Sequence, residues 1–179
     1  MQCQEGEIMA KVLNYGMVGG GPDAFIGDAH RRAISLDESA RLVAGVFSRN
    51  AEKSKKMGEV LHIEEERCYK DYETMALEEA KREDGIDFVV VVTPNASHYE
   101  ICKAFLNAGI HVVCDKPVTT TYEKAVELQK LAEEKSLLFM VTYTYMGHVT
   151  AKYARDLIAS GAIGDVRAVM AEYPQGWLA

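Results

Sequence analysis

The glycine-rich stretch GGGPDAFIG, residues 19–27, is the first part of the sequence that could bind a ligand. It follows the apolar run Val12–Val18 and precedes a helical pattern, an order in which backbone N–H groups and a helix N-terminus bind a dinucleotide pyrophosphate. Gly19 and Gly21 fit the first two positions of G-x-G-x-x-G, but five residues separate Gly21 from Gly27, more than the pattern allows. The loop alone fits either a pyrophosphate site or a plain strand-to-helix turn.

The end of the second predicted strand bears on which dinucleotide would bind. Ser48 and Arg49 follow the strand Leu42–Phe47. An NAD site usually has an acidic residue here that accepts from the ribose 2′-hydroxyl, whereas an NADP site has an arginine near the 2′-phosphate. Ser48 and Arg49 therefore favour NADP over NAD. A solvated arginine ahead of a helix is the alternative.

Two later strands also end in residues suited to a site, because ligands of open parallel sheets bind beyond the carboxyl ends of the strands. The candidates are Thr93, Pro94, Asn95 and His98 after Phe88–Val92, and Asp115 and Lys116 after His111–Cys114. Lys116 could hydrogen-bond a substrate hydroxyl or a ribose. An exposed loop pair is the alternative for Asp115 and Lys116.

A parallel sheet would bring these candidates together. Strand-length apolar runs alternate with helical periods, which is typical of an α/β, doubly wound Rossmann-type fold. The predicted strands are Val12–Val18, Leu42–Phe47, a weak one near Cys68, Phe88–Val92, His111–Cys114 and Leu138–Thr142. The predicted helices are Ile26–Ser35, Ala51–Gly58, Tyr72–Arg82, Tyr99–Ala108, Tyr122–Glu134 and Val149–Ser160. The runs FVVVV and LLFMV lack alternation, so we expect strands covered on both faces.

Several helices carry start and stop signals. These are a capping box at Thr120 and Glu123, N-caps at Asn50 and Asp71, and C-terminal glycines at Gly109 and Gly161. After Gly164, the alternation of Val166, Ala168 and Met170 predicts a further strand. No partner strand follows it, so we expect the chain to be the first part of something longer.

Composition narrows the function classes. The chain has 179 residues, of which 48% are hydrophobic and 26% charged, which suits one domain with a filled core. A formal charge of -7 with scattered Lys and Arg disfavours nucleic-acid and membrane-surface binding. The four cysteines form no CxxC pair and no metal-ligand spacing. Together with an acidic start that lacks a long apolar run, they favour a cytoplasmic protein without a metal site.

Four motifs in order carry a family resemblance: MVGGG with FIG and a following His, VTPNASHYE, GIHVVCDKP, and EYPQGWLA. The sequence resembles the Gfo/Idh/MocA family of NAD(P)-dependent sugar and polyol dehydrogenases, in a branch with a longer glycine loop. The resemblance runs from about Lys11 to the last residue. Lys116 matches the lysine of the family's E-K-P motif, with Asp115 where Glu is commoner. The family's T-P-N-x-x-H turn matches residues 93–98.

The resemblance implies a longer, two-domain enzyme. Residues 1–144 would be the dinucleotide-binding Rossmann domain, and 145–179 the first helix and strand of a truncated α+β domain. The rest of that second domain would supply a catalytic histidine beyond Ala179, most substrate contacts, and the surface for homo-oligomerisation. Within the glycine loop, the surplus residues 22–26 would form a lip over the cofactor, with Phe25 packed against the helix and Ile26 at the site.

The implied activity is hydride transfer between NADP or NAD and a hydroxyl-bearing carbon of a sugar, inositol or related polyol. Lys116 would polarise or orient that hydroxyl. Tyr143 could contact the substrate, although it stands with Thr144 where relatives often have His and Asn, and aromatic packing is the alternative. Two other activities stay open: a non-catalytic cofactor-sensing module, and a glycoside hydrolase assisted by NAD. His30 is expected to pack, and His62 and His148 to lie on the surface.

Overall fold

A computed structural model describes residues 11–22 and 24–176. The strands are β1 (Leu13–Gly19), β2 (Ala40–Val46), β3 (Phe88–Val92), β4 (His111–Cys114) and β5 (Phe139–Val141). The α-helices are α1 (Phe25–Ile34), α2 (Ala51–Val60), α3 (Tyr72–Glu79), α4 (His98–Asn107), α5 (Tyr122–Glu134) and α6 (Val149–Ala159). None of the helices in these ranges is long and apolar enough to cross a membrane.

The strands form one parallel sheet in the order β2-β1-β3-β4-β5. Strand β1 pairs with β2 on one side and with β3 on the other, so the chain reverses its direction of travel across the sheet between β1 and β3. Such a switch point leaves a crevice beyond the carboxyl ends of the strands. The predicted doubly wound Rossmann-type fold is confirmed.

Both faces of the sheet are covered at its centre. Val89 and Val91 of β3 pack into one hydrophobic cluster with Phe105 of α4. The alternate residues Val90 and Val92 pack into a second cluster on the other face. All four valines are buried. The uninterrupted apolar run of β3 is therefore explained by burial on two faces, as expected for a central parallel strand. The same expectation for the run LLFMV is wrong, because Leu138 and Met140 at the edge strand β5 are 74% and 57% exposed.

Most predicted helix ends are confirmed. The side chains of Asn50 and Asp71 accept from the backbone N–H groups of Lys53 and Thr74, respectively, as N-caps do. The predicted C-terminal glycines Gly109 and Gly161 have φ values of 84° and 72°. The cap of α5 was predicted one residue early, because Thr121 rather than Thr120 accepts from Lys124 N.

Two strand predictions are wrong. The region near Cys68 contributes only an isolated parallel bridge to Gly45, because a short 3-10 turn at Glu65–Arg67 takes up the preceding residues. No strand forms in the described residues after Gly164, where Val166 and Met170 are exposed. A strand needs a neighbour for its backbone hydrogen bonds, and the described part of the chain supplies none there.

The chain divides into two compact units after Thr142. The second unit contains α6 and a short 3-10 turn at Thr144–Gly147, and the hydroxyl groups of Tyr145 and Tyr173 share a hydrogen bond within it. The predicted domain boundary after Thr144 lies close to this division. The nature of the two parts as domains stays a prediction.

Candidate functional site

A cleft of about 720 Å³ lies beyond the carboxyl ends of β1, β2 and β3. The loop after β1 lines it with Gly19, Gly20, Gly21 and Pro22, and the segment after β2 lines it with Phe47, Ser48 and Arg49. Thr93 and Pro94 line it after β3, while Lys53 of α2 and the residues 70–73 that open α3 form its outer part. The cleft therefore lies at the switch point of the sheet, where ligands of this fold class bind.

The glycine loop turns tightly at the end of β1. Gly19 has a φ of 95°, a left-handed conformation that side chains rarely adopt, and a Cβ there would lie 2.7 Å from the carbonyl oxygen of Val92. Gly21 closely approaches the end of β2, since a Cβ there would lie 2.5 Å from the carbonyl oxygen of Phe47. Both positions thus need glycine for the turn to pack against the ends of the neighbouring strands.

A third glycine contact joins the loop to α1. A Cβ on Gly27 would collide with the backbone of Gly20, so the missing side chain allows the helix to pack directly on the turn. Arg31, one turn further along α1, donates to the carbonyl oxygen of Gly20 at 3.1 Å. The close packing at Gly27 and the hydrogen bond from Arg31 therefore hold α1 against the glycine loop. Sequence reasoning missed Gly20 and Arg31; the run of three glycines was the only signal for the first.

The lip, residues 22–26, differs from its prediction. Helix α1 already begins at Phe25, whose side chain is 85% exposed and does not pack against the helix. The neighbouring Ile26 packs onto the buried cluster beneath. The backbone N–H of Ala24 donates to Gly21 at 3.0 Å and closes a short turn. The packing expected of Phe25 is thus wrong, because as the first helical residue Phe25 points away from the core; Asp23 lies outside the described residues.

The segment after β2 presents positive charge to the cleft. Ser48 accepts from the backbone N–H of Asn50 at 3.1 Å, which fixes the turn into α2. Arg49 is exposed, and within residues 11–22 and 24–176 it has no hydrogen bond or ion pair. Lys53 and Lys70 line the same part of the cleft. Sequence reasoning did not find these two lysines, because only the fold brings Lys70 next to the end of β2.

Acidic residues at the start of α3 partly balance this charge. Asp71 lies 3.8 Å from the ammonium of Lys70 and accepts from the backbone N–H of Thr74 at 2.7 Å. The hydrogen bond from Thr74 lowers the pKa of the Asp71 carboxyl. Asp71 thus serves as a helix cap. Arg49 faces the cleft with no hydrogen bond or ion pair to another described residue.

The turn after β3 is braced by its own side chains. The Ser97 hydroxyl lies 2.7 Å from the Pro94 carbonyl oxygen and 2.8 Å from Thr93 Oγ1, bonds that hold Thr93 and Pro94 at the cleft wall. Asn95 opens a short 3-10 turn and is exposed outside the cleft lining. His98 is fully buried and also lies outside the lining, so the structure does not bring its ring to the cleft.

Asp115 and Lys116 lie at the end of β4, beside the cleft rather than in its lining. Asp115 Oδ1 accepts from Lys116 N and from Thr142 Oγ1, both at 2.9 Å. Lys116 is exposed, and the peptide bond from it to Pro117 is cis. His30 Nε2 lies 3.9 Å from Asp115 Oδ1. Burial lowers the pKa of His30, and the Asp115 charge opposes that shift.

The predicted cofactor residues thus fall into two sets. Those in the cleft lining are Gly19, Gly21, Ser48, Arg49, Thr93 and Pro94. Those outside it are Phe25, Ile26, Gly27, Asn95, His98, Asp115 and Lys116. The direct contact of either set with a cofactor stays a prediction. Tyr143, the tentative substrate residue, belongs to the second unit and is 55% exposed.

Comparisons with known proteins agree with this geometry. Residues 13–143 match the family model GFO_IDH_MocA, described as "Oxidoreductase family, NAD-binding Rossmann fold". The uncharacterized oxidoreductase YfiI of Bacillus subtilis is 44% identical over 96% of this chain and 44% of its own length. Scyllo-inositol 2-dehydrogenase (NADP(+)) IolW, also of Bacillus subtilis, is 34% identical over 54% of this chain and 27% of its own.

Solved structures give the same result. An inositol dehydrogenase homolog from Azotobacter vinelandii, complexed with NAD+, superimposes with a TM-score of 0.85 at 42% identity. The match covers 88% of this chain and 41% of that one. The chain thus spans less than half the length of these relatives. The sheet order, the glycine turn and the matched residues together show that this chain belongs to the Gfo/Idh/MocA oxidoreductase family and has its NAD-binding Rossmann fold.

Proposed function

We propose that the cleft binds NADP in preference to NAD, and that a protein containing this chain transfers a hydride between the nicotinamide and a hydroxyl-bearing carbon of an inositol, sugar or related polyol. The observation that carries the proposal is the cleft at the switch point, with a glycine turn on one side and Arg49 on the other. We further propose that the protein is cytoplasmic and self-associates through parts outside this chain.

The glycine turn fits a pyrophosphate. Because Gly19 and Gly21 carry no Cβ, the turn lies directly against the carbonyl groups of Val92 and Phe47 at the strand ends, with its backbone along the cleft. Helix α1 begins just after the turn, so its free N–H groups and the positive end of its dipole favour an anion beside the loop. This arrangement supports Gly19, Gly20 and Gly21 as the residues that would hold the pyrophosphate.

The end of β2 fits a 2′-phosphate. Arg49 is exposed there with its guanidinium unpaired in the described part of the chain, and Lys53 and Lys70 line the same region. No acidic residue occupies position 48 or 49, where an NAD site would place one on the ribose 2′-hydroxyl. Among the relatives, the name of IolW includes NADP(+), whereas the Azotobacter protein was complexed with NAD+. The choice of cofactor therefore depends on these local residues.

Lys116 is the residue we assign to the reacting hydroxyl. Its backbone N–H donates to the Asp115 carboxylate, which Thr142 also holds, so the start of the loop after β4 is fixed while the ammonium group extends into solvent. A bound nicotinamide would supply the hydride chemistry. The Lys116 ammonium would donate a hydrogen bond to the substrate oxygen and orient it. The general base would come from the part of the protein beyond this chain.

Two other functions of the same family make different predictions. A cofactor-sensing module would bind NADP and never reduce it. A glycoside hydrolase assisted by its cofactor would release a leaving group without net reduction. The exposed ammonium of Lys116 at the end of β4 favours the dehydrogenase over the sensor, because a sensor has no reacting hydroxyl for it to orient.

The test is reduction of NADP or NAD on addition of inositols and simple sugars to a protein that carries this chain with its second domain. We expect NADPH formation with at least one polyol. Lys116→Ala should lower turnover about 100-fold or more and leave NADP affinity within a small factor. Lys130→Ala, which removes an exposed lysine on α5, is the matched control and should change neither quantity. Unchanged turnover in Lys116→Ala would overturn the role of Lys116.

A further inference from the structure

His98 has an unusual pair of hydrogen-bond partners. Its Nδ1 lies 2.8 Å from the carbonyl oxygen of Pro117, and its Nε2 lies 2.7 Å from the carbonyl oxygen of Thr93. The side chain is fully buried at the first position of α4. Backbone carbonyl groups only accept hydrogen bonds, so both ring nitrogens face acceptors.

Only the protonated ring satisfies both contacts. A neutral imidazole has one N–H donor and one unprotonated nitrogen. In either tautomer of His98, one lone pair would point at a carbonyl oxygen at hydrogen-bond distance. The imidazolium donates from both nitrogens, and a charged donor strengthens each bond.

We propose that His98 is a buried imidazolium that links the turn after β3 to the loop after β4, and that it is a positioning residue for the dinucleotide site. The first partner, Thr93, lines the cleft, and the second, Pro117, directly follows Lys116. This inference rests on the proposed function, because it assigns His98 to holding two parts of that site rather than to touching the cofactor.

His98 connects the turn after β3 to the loop after β4 beyond the point where the β3–β4 hydrogen bonds end. The ladder between β3 and β4 continues only as far as the bond from Asp115 N to Val91 O, at 2.9 Å. Beyond that bond the two chain segments separate into the Thr93 turn and the Lys116 loop, and the His98 ring lies between their carbonyl groups. Because α4 starts at His98, the ring is fixed to a helix whose Phe105 and Leu106 are buried.

Titratable neighbours of His98 lie on β4 and on its own helix, α4. Burial is the largest influence on His98 and disfavours the charge, but Cys114 of β4 and the two carbonyl groups outweigh it and raise the pKa to about 9. A hydrogen bond from Cys102 of α4 lowers the pKa of Cys114 to about 6, with burial and Asp115 opposing and His98 assisting. A Cys114 thiolate would balance the imidazolium charge.

One contact of Cys114 favours a neutral thiol over a thiolate. Its Sγ lies 3.3 Å from the carbonyl oxygen of Asp115, a partner that suits a thiol donor rather than a thiolate. The two carbonyl contacts of His98 require two N–H groups on the ring whether Cys114 is a thiol or a thiolate. Cys102 and Cys114 are both buried, so solvent has little access to either sulfur atom.

Nitrogen NMR of the histidine-labelled chain tests the charge without any cofactor. We expect one of the five histidines to show two protonated ring nitrogens at pH 7 and to stay charged well above the ordinary histidine pKa of about 6.5. That signal should be absent from His98→Gln. A neutral ring at pH 7 for the signal lost in His98→Gln would overturn the proposal. The wild-type titration, with loss of charge near the value of about 9, does not depend on the variant folding.

Calorimetric NADP titration tests the positioning role. In His98→Gln, whose amide can donate to only one of two carbonyls so far apart, we expect NADP affinity to fall about tenfold, equivalent to about 1.4 kcal/mol. Glu79→Gln is the matched control: it alters an equally buried charged group at Arg67, away from the cleft, and should lower stability without changing affinity. Equal NADP affinity in His98→Gln and the wild type would overturn the positioning role. If the wild type binds neither dinucleotide, the proposed function fails, and the NMR result still decides the imidazolium.

Discussion

The two ends of the sheet both contain charged and polar side chains, but they use them differently. At the amino end, Arg67 and Glu79 are buried and bind each other. At the carboxyl end, Arg49 faces the cleft with no partner among residues 11–22 and 24–176. The difference indicates that a charge paired within the protein stabilises the fold, whereas a charge directed into a cleft and left unpaired is available to a ligand.

The amino end forms a closed network. Arg67 Nε donates to Glu79 Oε1 at 3.0 Å, and the Tyr69 hydroxyl donates to the same oxygen at 2.8 Å. Burial, followed by the hydrogen bond to Glu79, raises the pKa of Tyr69. Nearby, Asn14 donates from its side chain to the Asp84 carbonyl, and its backbone N–H is bound by Asp87. Among the described residues, no buried side-chain nitrogen or oxygen lacks a hydrogen-bond partner.

The carboxyl end is built from backbone turns. Its side chains mostly hydrogen-bond to main-chain groups, as Ser48 does with Asn50, Ser97 with Pro94, and Asp115 with Lys116. These contacts fix the shape of the cleft and leave Arg49 and Lys116 exposed. We therefore expect substitutions at the amino end to lower mainly stability, and substitutions at the carboxyl end to lower mainly ligand affinity.

The largest effect on stability is expected at the amino end. Arg67→Leu leaves the buried Glu79 carboxylate without its cation and should lower the free energy of unfolding by about 3–5 kcal/mol. Lys81→Leu, which removes one partner of an exposed ion pair with Glu78, is the control and should cost far less. Denaturant unfolding measures both. A similar, small loss in the two variants would show that the network does not stabilise the fold.

The largest effect on ligand affinity is expected at the glycine turn. A side chain on Gly21 would meet the carbonyl oxygen of Phe47, so Gly21→Val should push the loop and β2 apart and weaken dinucleotide binding about 100-fold, or about 2.7 kcal/mol. Gly147→Val is the control, because nothing lies within 4 Å of that position. Calorimetric titration distinguishes them. Unchanged dinucleotide affinity in Gly21→Val would show that the glycine turn is not part of the binding site.

A smaller effect is expected from Arg49, and it should depend on the cofactor. Arg49→Ala removes the unpaired cation at the end of β2 and should weaken NADP binding about tenfold, or about 1.4 kcal/mol, while NAD binding changes little. Arg155→Ala removes an exposed arginine of the second unit and serves as the charge control. An equal loss for both cofactors would mean that Arg49 does not read the 2′-phosphate.

The smallest effect is expected on the pH dependence of stability, through the largely buried side chain of His30. Burial lowers its pKa in the folded chain, so below about pH 6.5 the unfolded chain takes up the proton more readily. Stability should therefore decline as the pH falls below that value, and part of the decline should vanish in His30→Asn. Unfolding free energies of both proteins at pH 7 and pH 5 measure this. Identical slopes would show that His30 titrates alike in both states.

Local patterns predicted the sheet and much of the cleft. The apolar run of β3 and the caps Asn50 and Asp71 follow from sequence neighbours alone. The alternation at residues 166–170 predicted a strand that does not form in the described residues, because a strand also needs a partner that sequence periodicity does not reveal. His98 was predicted as a cofactor ligand, yet its carbonyl partners come from separate loops that only the folded sheet brings together.

The dinucleotide cleft is tested most directly by calorimetric titration of the 179-residue chain with NADP and with NAD. We expect one NADP site per chain and weaker binding of NAD, since Arg49 and the neighbouring lysines favour the extra phosphate. Tighter binding of NAD would contradict the assigned preference. Absence of binding for both would contradict the assignment of the cleft itself.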